Sequence, residues 1–250
     1  MKKQFIALAL AGLAFTACKK DSTTNTDTQL IKKIAEIEGG DTTYTNFSYD
    51  SNKKLVLVKT EDSELKLTYT GDNITTLENK DGEDKTKLEV TYEGGKPKSA
   101  VYTTYENNQL KETYKLSYTL DASNRVTEII VKDNANANIV SKQVLTYTGA
   151  NITKMQSYVG TNLLSTQELT YGTKKNPLAG IKINYVVDVF LADAVSANEV
   201  VKQKYTIGNT ANETTNTYTY DGKGYPVKAD VSEKTLPNGT PALSKLVFTY

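Results

Sequence analysis

From residue 42 onward, apolar and polar positions alternate in short runs, each closed by a turn built on Gly, Asn or Asp. Residues 67–75 (LTYTGDNIT) return as residues 145–153 (LTYTGANIT), with one difference in nine positions. Shorter copies stand at 90–97 (VTYEGGKP) and 169–172 (LTYG). A sister form carries Asp at the turn: 47–50 (FSYD), 118–121 (YTLD) and 218–224 (YTYDGKG). A period of two marks a strand buried on one face, and Thr and Tyr suit a pleated surface. Gly and Asn tolerate positive φ, and an Asp carboxylate can accept from nearby backbone amides. Each copy therefore predicts one β-hairpin.

The pattern predicts about fifteen strands, near 42–49, 54–60, 63–70, 73–79, 84–92, 97–106, 109–120, 124–133, 138–148, 151–159, 162–171, 179–186, 199–207, 212–220, 225–234 and 242–250. Residues 30–38 (LIKKIAEIE) fit helix and strand alike. Short connections make neighbours in sequence neighbours in space. The fold class is all-β: an antiparallel up-and-down meander, strongly curled or closed into a barrel so that its edges are hidden. Pro177 interrupts this rhythm, because proline has no place in a central ladder. Residues 185–197 (YVVDVFLADAVSA) then form the most apolar stretch after the N-terminus. They read either as a short helix or loop plugging one end of the sheet, or as a buried strand.

The N-terminus follows a different logic. Met1, Lys2 and Lys3 precede an apolar run from Phe5 to Phe15, too short for a bilayer, which takes about 20 residues. Phe15-Thr16-Ala17-Cys18 resembles the lipobox of bacterial lipoproteins, with Phe15 where Leu is usual. The resemblance implies cleavage after Ala17 and acylation of Cys18, the only cysteine in the chain. Buried methylenes contribute about 0.8 kcal/mol each, so more than one acyl chain anchors stably without spanning the membrane. Lys19 after the cysteine points to the outer membrane by analogy with the lipoprotein sorting rule. Residues 18–21 (CKKD) resemble the surface-export signals of Bacteroidetes lipoproteins. The organisation is a signal peptide (1–17), a lipidated tether (18–29) and a single repeat-built domain (30–250). Residues 19–29 (KKDSTTNTDTQ) carry no apolar side chain and cannot offset the entropy of ordering. Asp21-Ser22-Thr23 and Asp41-Thr42-Thr43 resemble a Bacteroidetes O-glycosylation motif, which would place sugars on Ser22 and Thr42.

Composition removes several function classes. The chain of 250 residues has no His and no Trp, so it has no imidazole base, Ser-His-Asp triad or His-ligated metal. Without Lys2 and Lys3 the remainder holds 28 basic and 29 acidic side chains, a balance unsuited to nucleic acid. Arg125 is the only arginine, and phosphate or carboxylate recognition relies on that side chain. There is no Gly-rich phosphate loop and no metal-ligand spacing; no cofactor and no catalytic residue is expected. Asp50, Asp121 and Asp221 sit at turns, where local bonding explains them. Glu64, Glu89, Glu112 and Glu168 alternate with Lys and Thr and read as solvated ladders.

The Tyr-Asp copies at 47–50 and 218–224 resemble RHS-type repeats. With the lipobox and residues 171–178 (YGTKKNPL), the chain resembles a family of Bacteroidetes lipoproteins whose function is not established. That resemblance implies a porin-like all-β fold and assigns no catalytic residue. A spanning barrel needs an outward apolar belt. Here Glu64, Lys66, Thr68 and Thr70 lie opposite Leu65, Leu67 and Tyr69, so a non-spanning barrel in water is expected, anchored to the bilayer through acylated Cys18. The favoured role is a non-enzymatic binding or scaffold protein with a glycan or surface protein as partner. A glycan-processing hydrolase and an integral outer-membrane barrel are the alternatives. Most of the 17 tyrosines recur in register and belong to packing. Tyr102 and Tyr105 lie on opposite faces of one strand. Replacing Tyr147 by Ala is expected to cost about 3 kcal/mol or more, as for a buried Phe, measured by urea unfolding.

Overall fold

The computed structural model describes residues 29–178 and 196–250. These form sixteen strands in chain order. The first eight are β1 (Lys33–Glu38), β2 (Asp41–Tyr49), β3 (Leu55–Lys59), β4 (Ser63–Thr70), β5 (Asn73–Asp81), β6 (Asp84–Glu93), β7 (Lys96–Glu106) and β8 (Gln109–Leu120). The remainder are β9 (Val126–Asp133), β10 (Ile139–Thr148), β11 (Asn151–Val159), β12 (Asn162–Lys175), β13 (Asn198–Ile207), β14 (Thr210–Tyr220), β15 (Pro226–Leu236) and β16 (Ala242–Thr249). Each strand pairs antiparallel with the next, and β1 pairs with β16, so the meander is a closed barrel. Fifteen of the expected runs appear as strands. The expected strand at 179–186 lies outside the described residues, as does 185–197 apart from Ser196 and Ala197.

The ambiguous segment 30–38 is resolved as a strand, and it is the one that closes the barrel. Ile34 faces Phe248 on one side and Thr45 on the other. Tertiary pairing overrides the mixed periodicity, because without β1 both neighbouring edges would be open.

The Asp-type turns form one loop three times over. The Asp50 carboxylate accepts from the backbone N–H of Asn52 and Lys54 at 2.8 and 2.9 Å. Asp121 accepts from Ser123 and Arg125 at 2.8 and 2.9 Å. Asp221 accepts from Lys223 and Tyr225 at 2.9 and 2.8 Å. In each copy the Asp N–H also donates to the carbonyl four residues on, at 2.9 Å. The residue three after the Asp takes positive φ: Lys53 at 62°, Asn124 at 62° and Gly224 at 80°. Two carboxylate bonds per loop thus outweigh the strain at two non-glycine positions. At β8–β9 and at β2–β3 the side chain four residues on extends the device. The Arg125 guanidinium meets Asp121 at 2.6 Å and donates to the Gly149 carbonyl of the next turn. Lys54 likewise donates to the Gly71 carbonyl and meets Asp72 at 3.0 Å.

Alternation places the apolar set inside. Ile74, Leu116, Ile129 and Ile152 are buried almost completely, each contributing roughly 1.5–3 kcal/mol relative to exposure. One core runs along β3 to β9, a second joins β11 to β13, and a third joins Ile31, Ala229 and Phe248. Leu178 packs against both the first and the third. Leu178, three residues beyond β12, therefore lies on the inner side of the wall. The outer face is charged. Lys66 meets Glu64 at 2.8 Å, Lys87 meets Glu89 at 2.8 Å, and Lys202 meets Glu213 at 2.8 Å. Glu168 reaches Lys154 at 3.9 Å. The expected ladders hold for Glu64, Glu89 and Glu168, whereas Glu112 is a correction. It shares the face of Tyr114 and accepts that phenol's proton at 2.6 Å. Glu112 stands opposite Thr104 on the inner wall, next to the bulge at Lys111. Tyr102 packs into the core and Tyr105 lies outside under Lys85, 4.4 Å from its ring centroid.

The Asp121 carboxyl is held below its ordinary value of 3.8, first by the Arg125 backbone N–H and then by its guanidinium. A lowered carboxyl pKa stabilises above the unfolded value and is lost as pH falls through the folded one. Asp121→Ala is therefore expected to lower Tm at pH 7 and to flatten the fall of Tm below about pH 4, read by thermal melts across that range.

Candidate functional site

The two ends of the barrel differ in chemistry. The end where even-numbered strands finish is closed by a repeated tyrosine bond. Tyr69 on β4 donates its phenol proton to the Leu55 carbonyl at the start of β3, at 2.8 Å. Tyr92 donates to Ile74 at 2.7 Å, Tyr147 to Val126 at 2.9 Å and Tyr171 to Ile152 at 2.5 Å. Tyr218 donates to Val200 at 3.0 Å, and Tyr250 to Pro226 at 2.9 Å. In all six the acceptor lies near the start of the preceding strand. Each bond staples the end of one strand to the beginning of its neighbour. Lys54 covers the Tyr69 ring at 5.4 Å and Arg125 covers Tyr147 at 4.4 Å, an arrangement in which a cation meets the negative ring face.

This end also receives the N-terminal segment. Ile31 is buried there, and the Gln29 N–H donates to the Tyr225 phenol at 3.3 Å. Between β12 and β13, Tyr171 and Ser196 share a hydrogen bond at 2.8 Å, and the Asn176 amide donates to the Ser196 carbonyl at 2.8 Å. Glu199 is 2% exposed. Its Oε1 accepts from Tyr220 at 2.9 Å, and its Oε2 has no hydrogen-bond partner. A Cβ at residue 172 would stand 2.2 Å from Oε1, so Gly172 is what makes room for this carboxylate.

Toward the other end the inner wall turns polar in ordered steps. Two residues before the six tyrosines come Leu67, Val90, Leu145, Leu169, Asn216 and Phe248. Four residues before come Leu65, Leu88, Gln143, Gln167, Thr214 and Leu246. Six residues before, the side chains are Ser63, Thr86, Ser141, Ser165, Asn212 and Ser244, all polar. Register keeps these positions on the inner face, since Leu67 faces Leu77, Gln143 faces Ser157 and Gln167 faces Met155. The inward carboxylates Glu36, Asp84, Glu112 and Glu233 join them and are exposed, so water reaches this end of the interior. Away from the tyrosine end, every lysine whose register the described pairing defines faces outward. Among the described residues, the interior here offers acceptors and negative charge with no inward lysine to neutralise it. Exposed Leu110, Ile139, Leu163 and Leu243 lie at the turns of the same end. No group of three or more Cys, Asp or Glu among the described residues could hold a metal ion.

Of the residues singled out from sequence, Ala17, Cys18 and Ser22 lie outside the described residues. Thr42 is exposed on β2, opposite Ile37. The Gln and Asn positions on the inner wall escaped the sequence reading. The signal that marks them is the change from Leu at residues 65 and 88 to Gln at 143 and 167 in otherwise matching repeats.

The architecture is that of a porin-like antiparallel barrel. A porin-like protein from Bacteroides uniformis superposes with a TM-score of 0.54 at 14% identity, over 88% of this chain and 97% of that one. One from Bacteroides vulgatus superposes with the same score and identity, over 88% and 98%. At that identity the likeness concerns the fold. No protein-family model and no curated protein sequence matches the chain.

Burial pushes the Tyr147 phenol up from 10.0 to about 12, and Tyr49 and Tyr220 likewise to about 12. A raised phenol pKa stabilises below the unfolded value and is lost as pH rises toward the folded one. Alkaline unfolding should therefore begin between pH 10 and about 12 and coincide with tyrosinate absorbance. Tyr69→Phe and Tyr147→Phe should each cost about 1 kcal/mol in urea unfolding, a loss smaller than truncation of the ring, and should be additive at their separate sites.

Proposed function

We propose that the protein is an outer-membrane lipoprotein, acylated at Cys18, whose barrel stands in water and serves binding or scaffolding rather than catalysis. The observation that carries this reading is the inverted polarity of the wall. A spanning barrel turns an apolar belt outward and a polar face inward. Here the Leu, Ile and Tyr positions point in, and the Lys, Glu and Thr positions point out. Burying such ion pairs in hydrocarbon would cost several kcal/mol for each charge.

The place where the chain enters the barrel supports the same orientation. Gln29 and Ile31 lie at the tyrosine end, so a lipid on Cys18 would tie that end to the bilayer. The eleven residues from 18 to 28 reach at most about 40 Å. The polar mouth would then face away from the membrane, toward a glycan or a surface protein. A hydrolase would need two facing carboxylates at a defined separation. Of the inward carboxylates, Asp84 sits at the mouth turn between β5 and β6, and Glu112 bonds its neighbour Tyr114.

Two measurements test this. A labelled fatty acid should enter the wild-type chain and not Cys18→Ala. With residues 1–18 exchanged for an ordinary cleavable leader, the barrel should be released into the aqueous phase without detergent. A barrel that then remains in the membrane would contradict the anchored reading. A ligand panel read by thermal shift identifies the partner.

A further inference from the structure

We infer that the inner wall of β12–β15 binds a neutral or amine-bearing oligosaccharide through Gln167, Tyr205, Asn212 and Glu233. The inference rests on the binding role proposed above and gives it a place and a ligand class.

Gln167 is 3% exposed, yet its Oε1 has no hydrogen-bond partner. The Asn212 Oδ1 is in the same condition. Buried carbonyl oxygens are nearly always paired, because leaving one unpaired forfeits its hydration without return. These two belong to one row. Gln167 pairs with Tyr205 across β12 and β13, and Tyr205 pairs with Asn212 across β13 and β14. All three share the inner face, since Gln167 also stands opposite the core residue Met155.

The geometry and charge of the row select the ligand. Adjacent strands lie about 4.8 Å apart, so the two carbonyl-bearing side chains are about 10 Å apart, a distance on the scale of two sugar rings. Between them stands a tyrosine, whose ring packs against apolar ring faces and whose hydroxyl both donates and accepts. Glu233 faces Thr214, one inward position from Asn212 toward the tyrosine end. Unpartnered carbonyls and a carboxylate are acceptors, so the ligand must bring donors, which sugar hydroxyls and ammonium groups supply. Of the lysines of these strands, Lys202, Lys204, Lys228 and Lys234 face outward, and Lys175 lies at the tyrosine end over the Tyr225 ring. With inward carboxylates and, among the described residues away from the tyrosine end, no inward lysine, the interior field opposes anionic sugars. Tyr205, Asn212 and Thr214 are half-buried, so the row runs from a wetted stretch of wall to the dry position of Gln167.

The test uses the full chain and three oligosaccharides of equal length: a neutral cello-oligosaccharide, a cationic chitosan oligosaccharide and an anionic oligogalacturonate. Saturable binding of the first two and not the third is expected by calorimetry. Gln167→Leu and Asn212→Leu should each weaken binding about tenfold or more. Gln167→Leu should melt at or above the wild-type temperature, because it replaces an unpaired buried carbonyl by an apolar group of similar size. Absence of binding by both non-anionic probes, equal binding of all three, or wild-type affinity in both variants would overturn the site. A lowered Tm in Gln167→Leu would also overturn it, because the carbonyl would then have a partner within the folded protein. A different partner that binds wild type and Gln167→Leu alike would leave the broader binding role intact while removing this site.

Discussion

The structure depends on a double ladder made by one short strand. β1 supplies six residues, and its backbone pairs on one side with β2 and on the other with β16, the last strand of the chain. Every other pairing is between consecutive strands, nearly all joined by short turns at low entropic cost. This one joins Lys33 to Thr249 and carries the largest loop-closure cost of all. Closure also removes the two free edges that would otherwise template association with a second sheet. The apolar Ile34 and Phe248 pair inside the seam, so burial reinforces the backbone bonds there.

Closure leaves alternation to decide where each side chain goes. With sixteen strands the wall could enclose water or be filled, depending on which set of residues turns inward. The tyrosine end is filled, and its six phenol-to-carbonyl bonds satisfy both the polar tip of each ring and the carbonyl at the start of a strand. Those carbonyls lie where a strand emerges from a turn and would otherwise need water in a place that the rings exclude. The same residue thus supplies burial and polar satisfaction. Further down the wall the repeats relax this demand, and Ser, Thr, Asn and Gln replace Leu where the interior meets solvent.

Much of this was legible before any coordinates. The alternation and the Gly- or Asp-centred turns predicted the hairpins, because strand period and turn chemistry are local properties. The bonding of Asp50, Asp121 and Asp221 followed for the same reason, as did the outward placing of Glu64, Glu89 and Glu168. The segment at 30–38 was illegible because its inward positions are Ile34, Glu36 and Glu38, a mixed set that no periodicity marks. Its partner strand lies more than two hundred residues away. The tyrosine bonds were half visible. The constant position of Tyr in each repeat stood out, but the carbonyl it reaches lies 14 to 24 residues earlier and is defined only by register. The inner row of Gln167, Tyr205 and Asn212 was hidden for a related reason. Its members belong to three different strands, and only their pairing aligns them.

The asymmetry between the ends ties fold to role. A barrel built from near-identical hairpins has no reason of its own to treat its ends differently, yet here one end carries the rings, the N-terminal segment and residues 176–178, while the other carries polar and acidic groups. Sequence variation within the repeats creates that difference. The Tyr position is retained in copy after copy, as packing requires, while the position four residues earlier drifts from Leu to Gln and Thr. A drift that served packing alone would exchange one apolar residue for another of similar volume, since a buried amide with an unpaired carbonyl weakens the fold. Gln167 departs from that rule at a position that holds Leu at residues 65, 88 and 246. The inner wall has therefore given up stability at one spot, a loss that the oligosaccharide binding proposed there would repay.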